Sequence, residues 1–180
     1  MKFIDQLKEK AKQNKKTIVL PETSDMRTIE AAGKVLAEGI ANIILVGDKE
    51  DIMSRAGDID LSGASFVDPK NYEKFNEYVD AFVEMRRKKG MTEARAKELL
   101  LTNPLYFGCM MVKQDDADGM VAGAINASAD VLRAALQTLK TAPGTRIVSA
   151  FFLVVVPDCQ YGANGTFVFA DAGLNQSPSA

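Results

Sequence analysis

Up to Lys140 the chain alternates short apolar runs with amphipathic stretches, and that alternation restricts it to an α/β fold. Thr17–Pro21 (TIVLP) is a compact apolar run ending in a turn, and Ala41–Gly47 (ANIILVG) and Ser65–Val67 repeat the pattern. Such runs predict buried strands, and the helices between them predict a parallel sheet flanked by helices on both faces. Lys2–Lys12 places Phe3, Ile4, Leu7 and Ala11 on one helical side. Thr23, Ser24 and Asp25 can cap a helix to about Glu38, and Asp48 one to about Arg55. Tyr72–Lys89 carries an apolar stripe of Tyr72, Phe75, Val79, Phe82 and Val83, and Thr92 and Asn103–Pro104 open two further helices. Met120–Ala122 reads as a strand, and about Ile125 to Lys140 as a helix that stops before Ala142-Pro143-Gly144.

Beyond Lys140 the pattern changes. Ile147–Val156 and Thr166–Ala170 are apolar strands joined by the polar loop Pro157–Gly165, with no helix between them, so an antiparallel hairpin is expected. Thr141–Arg146 reads as the boundary between a first α/β domain, residues 1–144, and the start of a second, residues 145–180. Asn175 and Ser177 suit helix caps, Pro178 suits a first helical position, and the hairpin's faces call for a cover. These features together predict the N-terminal part of a longer protein.

Composition narrows the chemistry. Net charge is −2 and the pI about 5.3, which excludes a broad basic footprint and makes nucleic acid an unexpected partner. The sequence has no histidine. That removes Ser–His and Cys–His pairs, His–metal clusters and the usual base near neutral pH, leaving Asp, Glu, Lys, Tyr and Cys for proton transfer. No metal site is expected. The N-terminus lacks an apolar stretch of signal-peptide length, and Ala150–Val156, the longest apolar run, falls far short of the ~20 residues that cross a bilayer. Cys109 and Cys159 are far apart in sequence, and free thiols in a reducing cytoplasm are expected, with no membrane partner.

Asp118–Lys140 (DGMVAGAINASADVLRAALQTLK) carries the most functional information. It reads as a strand, a loop of small residues and an amphipathic helix. Backbone N–H groups and a helix dipole at such a junction favour an anion, and a phosphate or carbonyl oxygen is the expected guest. Arg133 lies just over one turn into the helix, on a face with Gln137 and Lys140.

DGMVAGAINASADVLRAALQTLKTAPG and FFLVVVPDCQYGANGTFVFADAGLNQSP together resemble the phosphate acetyltransferase (phosphotransacetylase) family and its relatives, the phosphate butyryltransferases. KTIVLPETSDMRTIEAA, NIILVGD and EMRRKKGMTEARAKELLLTNPLYFGCMMV are similar to that family's earlier segments, so the likeness covers all 180 residues. Ala134, where many relatives have proline, and Asn126-Ala127-Ser128, where hydroxyl-bearing residues are commoner, are departures in the pocket's detail. The resemblance implies a two-domain α/β architecture like that of the isocitrate and isopropylmalate dehydrogenases, truncated here. It implies a homodimer, a cleft between domains, and reversible acetyl transfer between coenzyme A and phosphate. CoA, acetyl-CoA, phosphate and acetyl phosphate are then the partners, CoA being a substrate rather than a bound cofactor. The catalytic Ser-Arg and Asp of the family belong to a later segment, so no catalytic residue is assigned within these 180.

Several residues keep two readings. Arg133 matches a substrate-binding arginine of the family; its plain alternative is a surface pair with Asp130. Arg87 aligns with an arginine suited to phosphate or CoA, yet Arg86-Arg87-Lys88-Lys89 before Gly90 equally complements a helix C-terminus. Arg86, near the apolar stripe, can pack its stem. Ser128 can donate to a phosphate or carbonyl oxygen, or simply cap its helix. The resemblance places Asn126, Cys159, Tyr161 and Asn164 near the cleft, while Asn164-Gly165 is also a turn signal. Cys109, among Phe107, Met110 and Met111, reads as core. Pro21–Asp25 reads as capping. A noncatalytic acyl-CoA-sensing or oligomerisation module is the alternative of another class. A nicotinamide-dependent dehydrogenase is a weaker rival, since no G-x-G-x-x-G follows a strand.

Overall fold

The computed structural model describes residues 3–171 and residue 173. Asn175, Ser177 and Pro178 lie outside the described residues. The chain divides into two units, residues 4–140 and the segment from Thr141 onward.

In the first unit, β1 (Lys16–Leu20), β2 (Ala41–Val46), β3 (Ala64–Val67) and β4 (Gly119–Met120) form a parallel sheet in the order β3-β2-β1-β4. Ile18 pairs with Ile43 on one side and Gly119 on the other, and Ile43 pairs with Ala64. Successive strand residues face opposite ways, so each apolar run feeds two cores. Leu20, Ile43 and Leu45 pack with Ile29, Ala32, Ile52 and Ala56. The last four lie on α2 (Met26–Glu38) and α3 (Lys49–Ala56). Val19, Ile44 and Val46 join the opposite core with Tyr78, Phe82, Leu100, Phe107 and Met110. That core belongs to α4 (Phe75–Arg86), α5 (Glu93–Thr102), α6 (Pro104–Lys113) and α7 (Ser128–Thr138). A helix α1 (Phe3–Gln13) precedes the sheet, with Lys8 of α1 pairing with Glu38 of α2 at 2.6 Å.

Caps follow the sequence signals where a side chain reaches a free N–H. Asp25 accepts from Arg27 N, Asp48 from Asp51 N, Thr92 from Arg95 N and Asn103 from Leu105 N. Gly108 lets α6 settle on the sheet: a Cβ there would stand 2.8 Å from Met120 Sδ and 3.3 Å from Val19 Cγ1.

Four boundaries differ from expectation. The stripe residue Tyr72 precedes α4, in a turn closed by Phe75 N donating to Tyr72 O, and Arg87–Lys89 form a 3₁₀ turn ended by left-handed Gly90. The fourth strand stops at Met120 rather than Ala122, and its helix begins at Ser128 rather than near Ile125. Both shifts have one cause: residues 123–126 point their N–H groups at a side chain from another loop.

In the second unit β5 (Phe151–Val155) and β6 (Thr166–Ala170) form an antiparallel ribbon, with Leu153 opposite Val168. The first strand is shorter than its apolar run. Phe151 and Phe152 point to opposite faces and are 67% and 62% exposed, so neither face of the ribbon is covered among the described residues.

Phe82 is fully buried and stacks edge-on against Tyr106 with ring centroids 5.9 Å apart. Phe82→Ala is expected to lower stability by about 3–5 kcal/mol, read as an earlier urea unfolding midpoint.

Candidate functional site

Because β1 and β4 are parallel neighbours, the residues just past their ends lie side by side. The chain turns to β2 on one side of β1 and returns to β4 on the other, so this is the topological switch point, where open α/β sheets take their ligands. Here the crevice is filled by the protein itself. Glu22, 2% exposed, lays its carboxylate into the loop after β4. Oε2 accepts from Gly123 N at 2.6 Å and Ala124 N at 2.7 Å. Oε1 accepts from Ile125 N at 3.2 Å, Asn126 N at 2.9 Å and Asn126 Nδ2 at 2.7 Å. Gly123 reaches this arrangement at φ +109°, a conformation that favours glycine. Arg27 ties the loop from its other side, donating to Ala124 O at 2.6 Å while pairing with Asp25.

The expected anion is therefore present, but it is a side chain. The N–H groups of Gly123–Asn126, where an external phosphate or carbonyl oxygen is expected from the sequence, are engaged by Glu22. Burial by itself would raise this carboxyl. The Asn126 amide and the N–H groups of Ala124, Asn126 and Ile125 outweigh it and hold the group near 2. The capping role expected of Pro21–Asp25 belongs to Asp25, whereas the Thr23 hydroxyl donates to Val46 O at 2.6 Å. An acidic residue directly after an apolar strand was the available sequence signal for Glu22. Nothing local revealed that its partners lie about a hundred residues away.

A second group gathers on the helical layer of α4, α6 and α7. Tyr106 Oη donates to Gln137 Oε1 at 3.2 Å. Burial raises the Tyr106 hydroxyl pKa, while the positive charges of Arg133 and Arg86 pull it back down. Arg133 is more than half exposed and pairs with Asp130 one turn earlier, so its plain alternative is realised alongside its place near Tyr106. Arg86 has a buried Nε with no hydrogen-bond partner among the described residues. Asp130 is thus the carboxylate paired to Arg133, and Gln137 the partner of the Tyr106 hydroxyl. The other arginine, Arg87, projects outward, 77% exposed, with Glu84 at 3.6 Å. Arg87 is the residue that the family resemblance aligns with a phosphate- or CoA-binding arginine, and its place in the 3₁₀ turn before Gly90 also fits the alternative of a helix-end charge.

Ser128 is the first residue of α7 and exposed; the cap position is Ala127, with no side-chain bond, so Ser128 is not the N-cap. Asn126 donates its amide to Glu22. In the second unit Cys159 is half-buried and Tyr161 exposed. Asn164, at φ +51°, forms a turn with Gly165, whose N–H donates to Tyr161 O at 2.9 Å. Cys109 is fully buried and burial pushes its thiol up, as suits a core residue.

Other carboxylates serve the frame. Asp116 accepts from Tyr72, Lys74 and Tyr78, and Asp118 accepts from Thr17 N and pairs with Lys16. A cavity of about 570 Å³ opens at the ends of β1, β2 and β3, but its Asp48 and Asp68 are engaged by backbone N–H groups. No group of three or more metal-ligating side chains occurs among the described residues, nor any helix long and apolar enough to cross a membrane.

A four-stranded parallel sheet flanked by helices, with its switch-point crevice filled by the Glu22 carboxylate, defines the class: a parallel α/β protein. The chain belongs to the phosphate acetyl/butaryl transferase family, which it matches over residues 2–180. A phosphate acetyltransferase from Acetivibrio thermocellus is 53% identical over 180 residues, covering 100% of this chain and 54% of that protein. One from Escherichia coli is 38% identical, covering 99% of this chain and 24% of that protein. A phosphotransacetylase of known structure from Streptococcus pyogenes superposes with a TM-score of 0.86 at 33% identity, covering 99% and 54% of the two chains. The chain thus spans about half the length of the first relative and about a quarter of the second.

A carboxyl near 2 in the folded chain and near 4.5 when unfolded corresponds to roughly 3 kcal/mol of stability. The folded value is the lower one, so this contribution is complete above about pH 4.5 and disappears as pH falls through about 2. The stability gap between wild type and Glu22→Gln, followed by urea unfolding, is expected to be near its full size at pH 7 and to close over that window. A gap independent of pH between 5 and 2 would show that the ionised carboxylate is not the source.

Proposed function

We propose that this chain is the N-terminal part of a phosphate acetyltransferase, catalysing acetyl-CoA + phosphate = CoA + acetyl phosphate. The match to the family over residues 2–180 carries the reading, and at the site the candidates to hold phosphate are Arg133, more than half exposed on α7, and Arg86, whose Nε has no hydrogen-bond partner among the described residues. A phosphate beside them would gain charge-assisted, bidentate hydrogen bonds, and would compete with Asp130 for Arg133. The family covers acetyl and butyryl transfer, and the relatives' names favour acetyl.

In the acetyl-CoA-forming direction the CoA thiol gives its proton to a carboxylate base, and the sulfur attacks the carbonyl carbon of acetyl phosphate. The carbonyl oxygen becomes an oxyanion that needs donors. Collapse breaks the carbon–oxygen bond to phosphate, and phosphate leaves held by arginine. Arg133 and Arg86 bind the phosphate, Ser128 donates to it or to the carbonyl oxygen, and Arg87 offers a charge to CoA at the end of α4. The family resemblance assigns Asn126, Cys159, Tyr161 and Asn164 to the neighbourhood of that family's cleft. The family resemblance assigns the base and the Ser-Arg pair to residues beyond these 180. A homodimer in the cytoplasm completes the proposal.

The test is acetyl-CoA formation from acetyl phosphate and CoA, in the 180-residue chain and in one extended to the length of its relatives. Activity is expected only in the extended chain. There Arg133→Ala and Arg86→Ala should each cost roughly 10–100-fold in kcat/KM, the loss of a hydrogen bond to a charged group of about 1.5–3 kcal/mol. Full activity in the short chain, or indifference to both substitutions, would overturn the assignment.

A further inference from the structure

We propose that Glu22 is a positioning residue for the substrate-binding helix: its carboxylate is a resident anion that fixes the Gly123–Asn126 loop and thereby the first turn of α7. This rests on the acyl-transfer reading for its functional consequence, but the anchoring itself stands on geometry. Four consecutive backbone N–H groups and the Asn126 amide converge on the two oxygens of one buried side chain. The chain enters the loop held by Val121 N donating to Val19 O and by Ala122 packed on the core, but within the loop Ile125 is 55% exposed and adds little packing. The residue at the cap of α7 is Ala127, which supplies no side-chain bond. Arg27, itself largely exposed, adds one contact to Ala124 O.

Ser128 follows this loop by two residues and Arg133 by seven, so the Glu22 contact sets where both begin. It also sorts anions. The donors that would draw a substrate phosphate into the switch-point crevice are consumed, which leaves the arginine face of α4, α6 and α7 as the place for phosphate. A carboxylate tethered to β1 therefore confines the substrate anion and orients the helix that meets it.

The decisive experiment is chemical rescue. Glu22→Ala leaves five donors around an opening of carboxylate size, whereas Glu22→Gln fills the opening and turns an NH₂ toward the donors. In the 180-residue chain, sodium formate, compared with sodium chloride at equal ionic strength, should raise the melting temperature of Glu22→Ala by several degrees. It should leave wild type and Glu22→Gln unmoved. A folded Glu22→Ala that formate does not stabilise beyond chloride overturns the anchoring. Asn126→Ala provides a second route should Glu22→Ala fail to fold. It removes one donor and keeps the carboxylate, so loop amides 123–126 should lose hydrogen-exchange protection at a higher pH than in wild type, and an unchanged midpoint overturns the anchoring. In the extended chain, Glu22→Ala should raise KM for acetyl phosphate about tenfold or more with a smaller fall in kcat, and formate should restore it. An unchanged KM overturns the positioning role. Formate stabilisation of Glu22→Ala, together with no turnover in the extended wild-type chain, would sink the acetyltransferase reading and still support the anchoring.

Discussion

The first unit turns on a single buried ionic contact. Taking a carboxylate out of water is unfavourable by several kcal/mol unless its lone pairs find donors. Glu22 finds five, spread over both oxygens, all from one short loop. The same contact satisfies N–H groups that a loop ahead of a helix would otherwise have to offer to water. It decides where β4 ends and where α7 begins. It joins residues about a hundred positions apart, so the two halves of the sheet are fastened at the crevice as well as along the β1–β4 ladder.

Around that contact the sheet works as a divider. Alternate residues of β1 and β2 supply two cores, one under α2 and α3 and the other under the α4–α7 layer. The second is the richer in aromatic and sulfur-bearing side chains, and Gly108 admits α6 close to β1 and β4. Tyr106 lies at the edge of this layer, 8% exposed, with its ring in the core and its hydroxyl among polar groups. Tyr106 of α6 and Gln137 of α7 meet there because the helices that carry them pack on one another, not because they are close in sequence.

The hairpin obeys a different constraint. Its strands are apolar on both faces, with Phe151, Leu153 and Val155 exposed on one side and Phe152 on the other. A two-stranded ribbon of this kind has no independent core, and its composition is that of interior strands in a larger sheet. Unpaired, it is an edge prone to association.

The sheet was legible in the sequence because its strands are continuous apolar runs between capped helices, and those signals are local: Pro at the start of α6, Gly after α2, Asp at two N-caps. The hairpin was legible for the same reason. Family membership was legible in two long segments, and the matches to relatives bear it out. That the loop after β4 offers N–H groups to an anion was legible, since small residues ahead of a helix are written in the sequence itself. Which anion it binds was not, because a carboxylate tethered to another strand and a soluble phosphate look alike to those N–H groups. That choice depends on which distant segments the sheet order and helix packing bring together, and only the tertiary structure decides it.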